Sequence, residues 1–244
     1  MKTLWTAAML LFGLTALGSA QVQKRDVDLK APDGLALKAT YYNPGKPGPA
    51  MLLLHQCTMD RKSWEGLASS LAGAGVHVVT LDYRGYGESG GERLTDPAQR
   101  RPVMEQKWPG DVDAAYAFLL SQPRVDRTRV AAGGASCGVT QSSSLTTRKP
   151  EIKALVLLSG SVSESALAYI KENAKLAVFG AASEEDTNAA KAIKDAVAAS
   201  TNPKSTISMF DGAGHGVPMF EKEKDLQPAI VEWLKAQLGG KATS

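Results

Sequence analysis

The sequence predicts an α/β fold: one doubly wound, mostly parallel sheet of eight strands that opens on an antiparallel hairpin. Three observations carry this expectation. Eight short β-rich runs alternate with helix-like stretches, the pattern of βαβ units. Runs such as Met51-Leu-Leu-Leu54 and Ala154-Leu-Val-Leu-Leu158 are apolar on both faces, as a parallel strand covered by helices requires. Only Ala31-Pro32-Asp33-Gly34 separates the first two runs, and its Asp-Gly is a hairpin signal.

In chain order, the strand runs cover residues 27–30, 35–42, 50–55, 76–82, 129–133, 154–159, 175–180 and 205–210. Helix-like stretches cover 63–74, 110–122, 137–148, 188–199 and 221–238. In the first of these, Trp64, Leu67, Ala68 and Leu71 follow the i, i+3, i+4, i+7 spacing of one buried face, with Ser63 as the expected N-cap. Residues 43–49, rich in Pro and Gly, connect two strands and divide no domains.

The first twenty residues stand outside this pattern. Lys2, an apolar run from Leu4 to Leu17, and the small residues Gly18-Ser19-Ala20 describe a secretory signal peptide cleaved after Ala20. The run is shorter than the roughly 20 residues a membrane anchor needs. The expected mature protein is one domain over 21–244, located in the periplasm or medium with no stable membrane anchor. Export would also place its two cysteines in an oxidising compartment.

Composition excludes several function classes. A 43% hydrophobic and 22% charged chain of 244 residues is globular. A net charge of +3, with no basic block, gives no reason to expect a nucleic-acid partner. Two cysteines form neither a disulfide scaffold nor a four-ligand zinc site by themselves, and no metal or cofactor is expected.

Gly134-Ala135-Ser136-Cys137-Gly138 has the G-x-S-x-G form and lies where the pattern switches from strand to helix. A nucleophile elbow needs that context: a sharp turn flanked by small residues, with the serine oxygen pushed out at a helix N-terminus that favours negative charge. A Gly-rich strand–helix turn is the alternative reading. Of three histidines, His77 falls inside a strand run and reads as structural. His215 lies in Asp211-Gly-Ala-Gly-His-Gly216, after the last strand and before the last helix, where an imidazole can reach over the carboxyl edge of the sheet. A serine hydroxyl needs such a base, and the base needs a carboxylate to hold its tautomer. Glu184-Glu185-Asp186 follows the seventh strand run; Asp186 is the first choice, Glu184 and Glu185 are close alternatives, and Glu164 is more distant.

The order Ser136…Asp186…His215, the elbow, and Leu81-Asp-Tyr-Arg-Gly-Tyr-Gly-Glu-Ser89 together resemble the α/β-hydrolase superfamily over nearly the whole mature chain. Gly85-Tyr-Gly87-Glu-Ser-Gly90 also matches G-x-G-x-x-G, but no apolar-periodic helix follows it, so no dinucleotide site is expected. By position, the resemblance implies oxyanion donors at the backbone N–H of Gln56 and of Cys137, although the chain has His55-Gln56 where members usually carry His-Gly. It also implies that the two oxyanion loops face each other. That brings Cys57 and Cys137 within range of a disulfide, against the alternative of two buried thiols. Cys137 as the nucleophile is a rival role.

Residues 160–175 are too few for a large cap, so the resemblance is to the lidless small-esterase or dienelactone-hydrolase branch. That branch commonly carries Cys at the elbow, where this chain has Ser136. The 96–109 loop is the expected cleft wall, with Tyr86, Met104, Trp108 and Met219 as candidates for either lining or core. The implied function is a monomeric serine hydrolase acting on small-molecule esters. A prolyl-oligopeptidase-like peptidase and a non-catalytic binding protein on the same scaffold are the alternatives.

Overall fold

The computed structural model describes residues 21–239, so the signal peptide expected over residues 1–20 lies outside the described residues. The eight strands are β1 (Gln23–Lys30), β2 (Ala36–Asn43), β3 (Gly48–Leu54), β4 (His77–Leu81), β5 (Val125–Ala135), β6 (Ile152–Leu158), β7 (Ala177–Ser183) and β8 (Thr206–Phe210). They form one sheet in the order β1-β2-β4-β3-β5-β6-β7-β8. The β1–β2 hairpin and the β2–β4 pair are antiparallel, and every later pair is parallel. The chain reverses its direction of travel across the sheet at β3, whose neighbours are β4 and β5. Sites of open α/β sheets form outside the carboxyl ends of the strands at such a switch point, here at the ends of β3 and β5.

Helices cover both faces. The α1 helix (Glu65–Gly73) and the α8 helix (Leu226–Leu238) pack on one side, where Leu67, Leu71, Ile230 and Leu234 meet Met51, Leu53 and Val156. On the other side α3 (Trp108–Ser121), α4 (Cys137–Arg148), α5 (Glu164–Glu172) and α6 (Thr187–Ala199) bury Val112, Leu145, Ile170 and Ile193 against Leu52, Leu54, Leu155 and Leu157. Alternate residues of β3 and β6 thus enter opposite cores, which is why those runs are apolar throughout. His77 is a buried strand residue, with Nδ1 2.6 Å from the Tyr41 hydroxyl and Nε2 3.0 Å from the Lys46 carbonyl.

Four local expectations change. Ser63 is not an N-cap: a 3₁₀ turn over Arg61–Trp64 precedes α1, and Asp60 caps that turn by accepting from the Lys62 N–H at 2.8 Å. The expected loop at 96–109 contains α2 (Pro97–Gln106), capped by Asp96 at the Ala98 N–H. It has no buried residue, and Pro102 interrupts its bonding, so no apolar stripe announces it. The span 160–175 holds α5, which is capped by Ser163 and buries Ala166 and Ile170 one turn apart. The final helix divides into α7 (Met219–Lys222) and α8, because Pro228 is accommodated in the first turn of α8, where its missing N–H costs nothing.

Candidate active site

The β5 strand ends at Ala135, and Ser136 takes φ 52° and ψ −114° before α4 begins at Cys137. An L-residue rarely adopts a positive φ, so the turn is strained and must be held from outside. Its backbone N–H donates to the carbonyls of Leu158 at 3.0 Å and Ser159 at 3.1 Å. The flanking glycines are there for space: a Cβ on Gly134 would strike the Gly138 carbonyl, and one on Gly138 would strike that of Leu54. The elbow is therefore wedged directly against the end of β3.

Three loops bring the remaining groups to this point. After β7, Asp186 occupies the N-cap position of α6 without capping it, so its carboxylate is available elsewhere. After β8, Gly212, Gly214 and Gly216 all have positive φ and carry His215 back over the sheet edge. His215 Nδ1 lies 2.5 Å from Asp186 Oδ2. With Nδ1–H donating to the carboxylate, the lone pair of the neutral ring resides on Nε2, the form a general base requires. Ser136, Asp186 and His215 line one cavity of about 280 Å³.

The adjacent acids have other partners. Glu184 pairs with Lys194 at 2.7 Å. Glu185 accepts from the Ser183 hydroxyl at 2.5 Å and from the backbone N–H groups of Gly212 at 2.9 Å and Gly214 at 3.1 Å. Glu164 opens α5 and does not line this cavity.

Cys57 and Cys137 form a disulfide with a Cα–Cα distance of 5.6 Å. It ties the loop after β3 to the first residue of α4 and leaves Cys137 no thiol with which to act as nucleophile. Among the described residues, no protein acceptor takes the backbone N–H of Gln56 or of Cys137. Of the four candidates for lining, only Met104 borders the cavity. Trp108 is buried and stacked on Tyr83 at 4.0 Å, Tyr86 packs edge-on against Trp108, and Met219 is core. Among the described residues, no group of three or more His, Cys, Asp or Glu side chains is placed to hold a metal ion.

Residues 49–220 match the family model described as alpha/beta hydrolase fold. The chain belongs to the α/β-hydrolase fold family. An uncharacterized protein of Mycobacterium tuberculosis (strain H37Rv) is 36% identical over 137 residues, 55% of this chain and 45% of the relative. Epoxide hydrolase B of the same organism is 43% identical over 51 residues, 21% of this chain and 14% of that protein. The chain therefore spans less than half the length of these curated relatives. The Pyrococcus furiosus esterase Pf2001 superposes with a TM-score of 0.72 at 18% identity, covering 89% of this chain and 94% of the esterase. A dienelactone hydrolase-like promiscuous phosphotriesterase, P91, from metagenomic libraries superposes with a TM-score of 0.71 at 17% identity, covering 89% and 99%.

In this α/β-hydrolase the Gln56 side chain does work that a residue count hides. Its Oε1 accepts from the Val217 N–H at 3.0 Å and its Nε2 donates to the Thr58 hydroxyl at 2.9 Å. It thus clamps the His215 loop to the loop after β3, and Gly216 is glycine because a Cβ there would strike that Oε1. The preceding His55 is buried and structural. Its Nδ1–H donates to the Gln56 carbonyl at 2.8 Å, its Nε2 accepts from the Tyr83 N–H at 3.4 Å, and burial pushes its pKa down to about 4. Gly87 of the G-x-G-x-x-G match packs on the carboxylate of Asp82, which is fully buried and paired with Arg61 at 2.5 Å. Gly87 makes room for that carboxylate, while Gly85 packs on the Glu92 backbone and Gly90 on the Ala36 carbonyl.

Glu185 makes the His215 loop sensitive to acid. The Ser183 hydroxyl, then the backbone N–H groups, hold its carboxyl down to about 2, from an ordinary value of 4.5. A carboxyl depressed by folding stabilises the folded state above its unfolded pKa and loses that contribution as the pH falls through its folded one. Wild type should therefore lose stability between pH 4.5 and about pH 2 more steeply than Glu185→Gln does, read by thermal melts across that window. Parallel profiles for the two proteins would show that the carboxylate does not brace this loop.

Proposed function

We propose that the protein is a serine hydrolase that cleaves carboxylic esters of small molecules through an acyl-enzyme. The observation that carries this is the 2.5 Å Asp186–His215 bond in the cavity that Ser136 enters from its strained turn. Ser136 Oγ attacks the acyl carbonyl while His215 Nε2 takes its proton. Asp186 keeps the proton on Nδ1 and stabilises the imidazolium. The N–H groups of Gln56 and Cys137 receive the oxyanion, whose stabilisation is worth about 10²–10³ in turnover per donor. Collapse of the tetrahedral intermediate expels the alcohol, which takes its proton from the imidazolium. Water then repeats the sequence on the acyl-enzyme and frees the acid.

Ester substrates are favoured by the small, open cavity and by the single short helix between β6 and β7. The fold shared with an esterase and a dienelactone hydrolase-like enzyme supports the same reading. The Cys57–Cys137 disulfide supports export, since such bonds persist in oxidising compartments.

A fluorophosphonate probe tests the serine mechanism. It should label wild type and fail to label Ser136→Ala; an active wild type that resists labelling would refute the reading. For the acid, Asp186→Asn should lower kcat on p-nitrophenyl acetate by about 10⁴-fold, because it strands the imidazole in the wrong tautomer. Activity near the wild-type level would move the role to Glu184 or Glu185.

A further inference from the structure

We propose that Cys57 is a modification site: a small anionic thiol enters the cation-lined cavity beside it, exchanges with the Cys57–Cys137 disulfide and so switches the hydrolase off reversibly. The exchange stands on the surroundings of the bond, while its effect on turnover rests on the hydrolase reading above.

The two ends of the bond border different cavities. Cys137 lines the cavity of Ser136, whereas Cys57 lines another of about 310 Å³ that shares no lining residue with it. Both cysteines are half-buried, so neither is sealed into the core, where a disulfide is inert. The Cys57 cavity is also bordered by Thr58, Tyr86, Arg93 and Arg100, and by no acid. Arg93 lies 4.6 Å over the Tyr86 ring, and Arg100 Nε is buried with no acceptor. Among the described residues no carboxylate pairs with either guanidinium. Two such cations attract an anion and favour the thiolate, the form that attacks a disulfide.

The other end of the bond suits a leaving group. Cys137 is the first residue of α4, whose first turn carries no acid, and the unmet N–H groups of a helix N-terminus stabilise a thiolate. The sulfur that leaves more readily directs attack to its partner, here Cys57. The entering thiolate bonds to Cys57 Sγ as the Cys57–Cys137 bond breaks, and Cys137 takes the electron pair as a thiolate. This gives a mixed disulfide on Cys57 and a free Cys137. A second thiolate then attacks the small-molecule sulfur and expels the Cys57 thiolate, so two thiols end as one disulfide and the protein bond is reduced. Either product unties the loop after β3 from α4, and with it the N–H groups of Gln56 and Cys137.

The test times exchange on the folded, oxidised protein with 2-mercaptoethanesulfonate, 2-mercaptoethanol and cysteamine: an anionic, a neutral and a cationic thiol. With rates expressed per thiolate, the sulfonate should react about 10-fold faster than the neutral thiol and cysteamine about 10-fold slower. This order should collapse in about 1 M NaCl, where screening shortens the reach of the arginines. Arg93→Met and Arg100→Met should each narrow the spread by about 3-fold, and Arg93→Lys, which keeps the charge, should retain it. Quenching with iodoacetamide and peptide mapping should find the sulfonate on Cys57 and the alkyl group on Cys137. Turnover of p-nitrophenyl acetate should fall by about 10²–10³ with exchange and return on reoxidation. Rates blind to thiol charge, a spread that both methionine variants leave intact, or an adduct on Cys137 instead would each overturn the site, whether or not any ester is hydrolysed. Exchange at Cys57 that leaves turnover intact overturns the switch. A protein that exchanges at Cys57 in the expected order, yet neither hydrolyses esters nor takes a fluorophosphonate label, upholds the site and fails the hydrolase reading alone.

Discussion

Replacing Ser136 by alanine is expected to lower ester turnover by about 10⁶-fold, the loss typical when the nucleophile of a cooperating triad is removed. Stability should change by no more than about 0.5 kcal/mol, since Ser136 is only partly buried and its side chain does not cap α4. Ser136→Gly separates chemistry from strain. It should be as inactive as the alanine variant, yet melt higher, because glycine relieves a backbone held at φ 52°. Relief of a residue in that region is worth about 1 kcal/mol. Esterase assays with chemical denaturation on the three proteins provide the check. An alanine variant retaining a tenth of wild-type turnover would remove Ser136 from the mechanism.

Breaking the Cys57–Cys137 bond should have the largest effect on stability. The two residues are 80 apart in sequence, and a cross-link closing a loop of that length stabilises by about 4.5 kcal/mol in the chain-entropy account. The bond also joins Cys57, the neighbour of one expected oxyanion donor, to Cys137, which carries the other. Loosening that pair should cost up to about 10²–10³ in kcat, the loss expected when one donor is displaced. Denaturation with and without a dithiol, and of the Cys57→Ser/Cys137→Ser protein, should show the same loss in both arms. Two free thiols on titration of unfolded, unreduced protein would sink this expectation.

The parts legible in the sequence were those carried by local pattern. The buried parallel strands show as uninterrupted apolar runs, and the Asp-Gly hairpin announces itself within four residues. Chain elements without such a signature stayed hidden. The α2 helix buries no residue and contains Pro102, so neither period nor propensity marks it. The start of α1 has no signature of its own, because a 3₁₀ turn capped by Asp60 precedes it and the turn and helix together bury the same face of Trp64, Leu67 and Leu71.

The site shows the same division. The sequence by itself determined that a strained Ser136 turn and a glycine-rich His215 loop stand at the ends of β5 and β8, because each is specified by residues adjacent to it. Three consecutive acids, by contrast, are indistinguishable as letters. Only the tertiary structure decided that Asp186 meets His215, that Glu184 meets Lys194 and that Glu185 braces Gly212 and Gly214. The same holds for Gln56, whose side chain reaches Val217 across 161 residues of sequence. Such pairings depend on which way each side chain leaves its loop, and the packing of the sheet sets that direction.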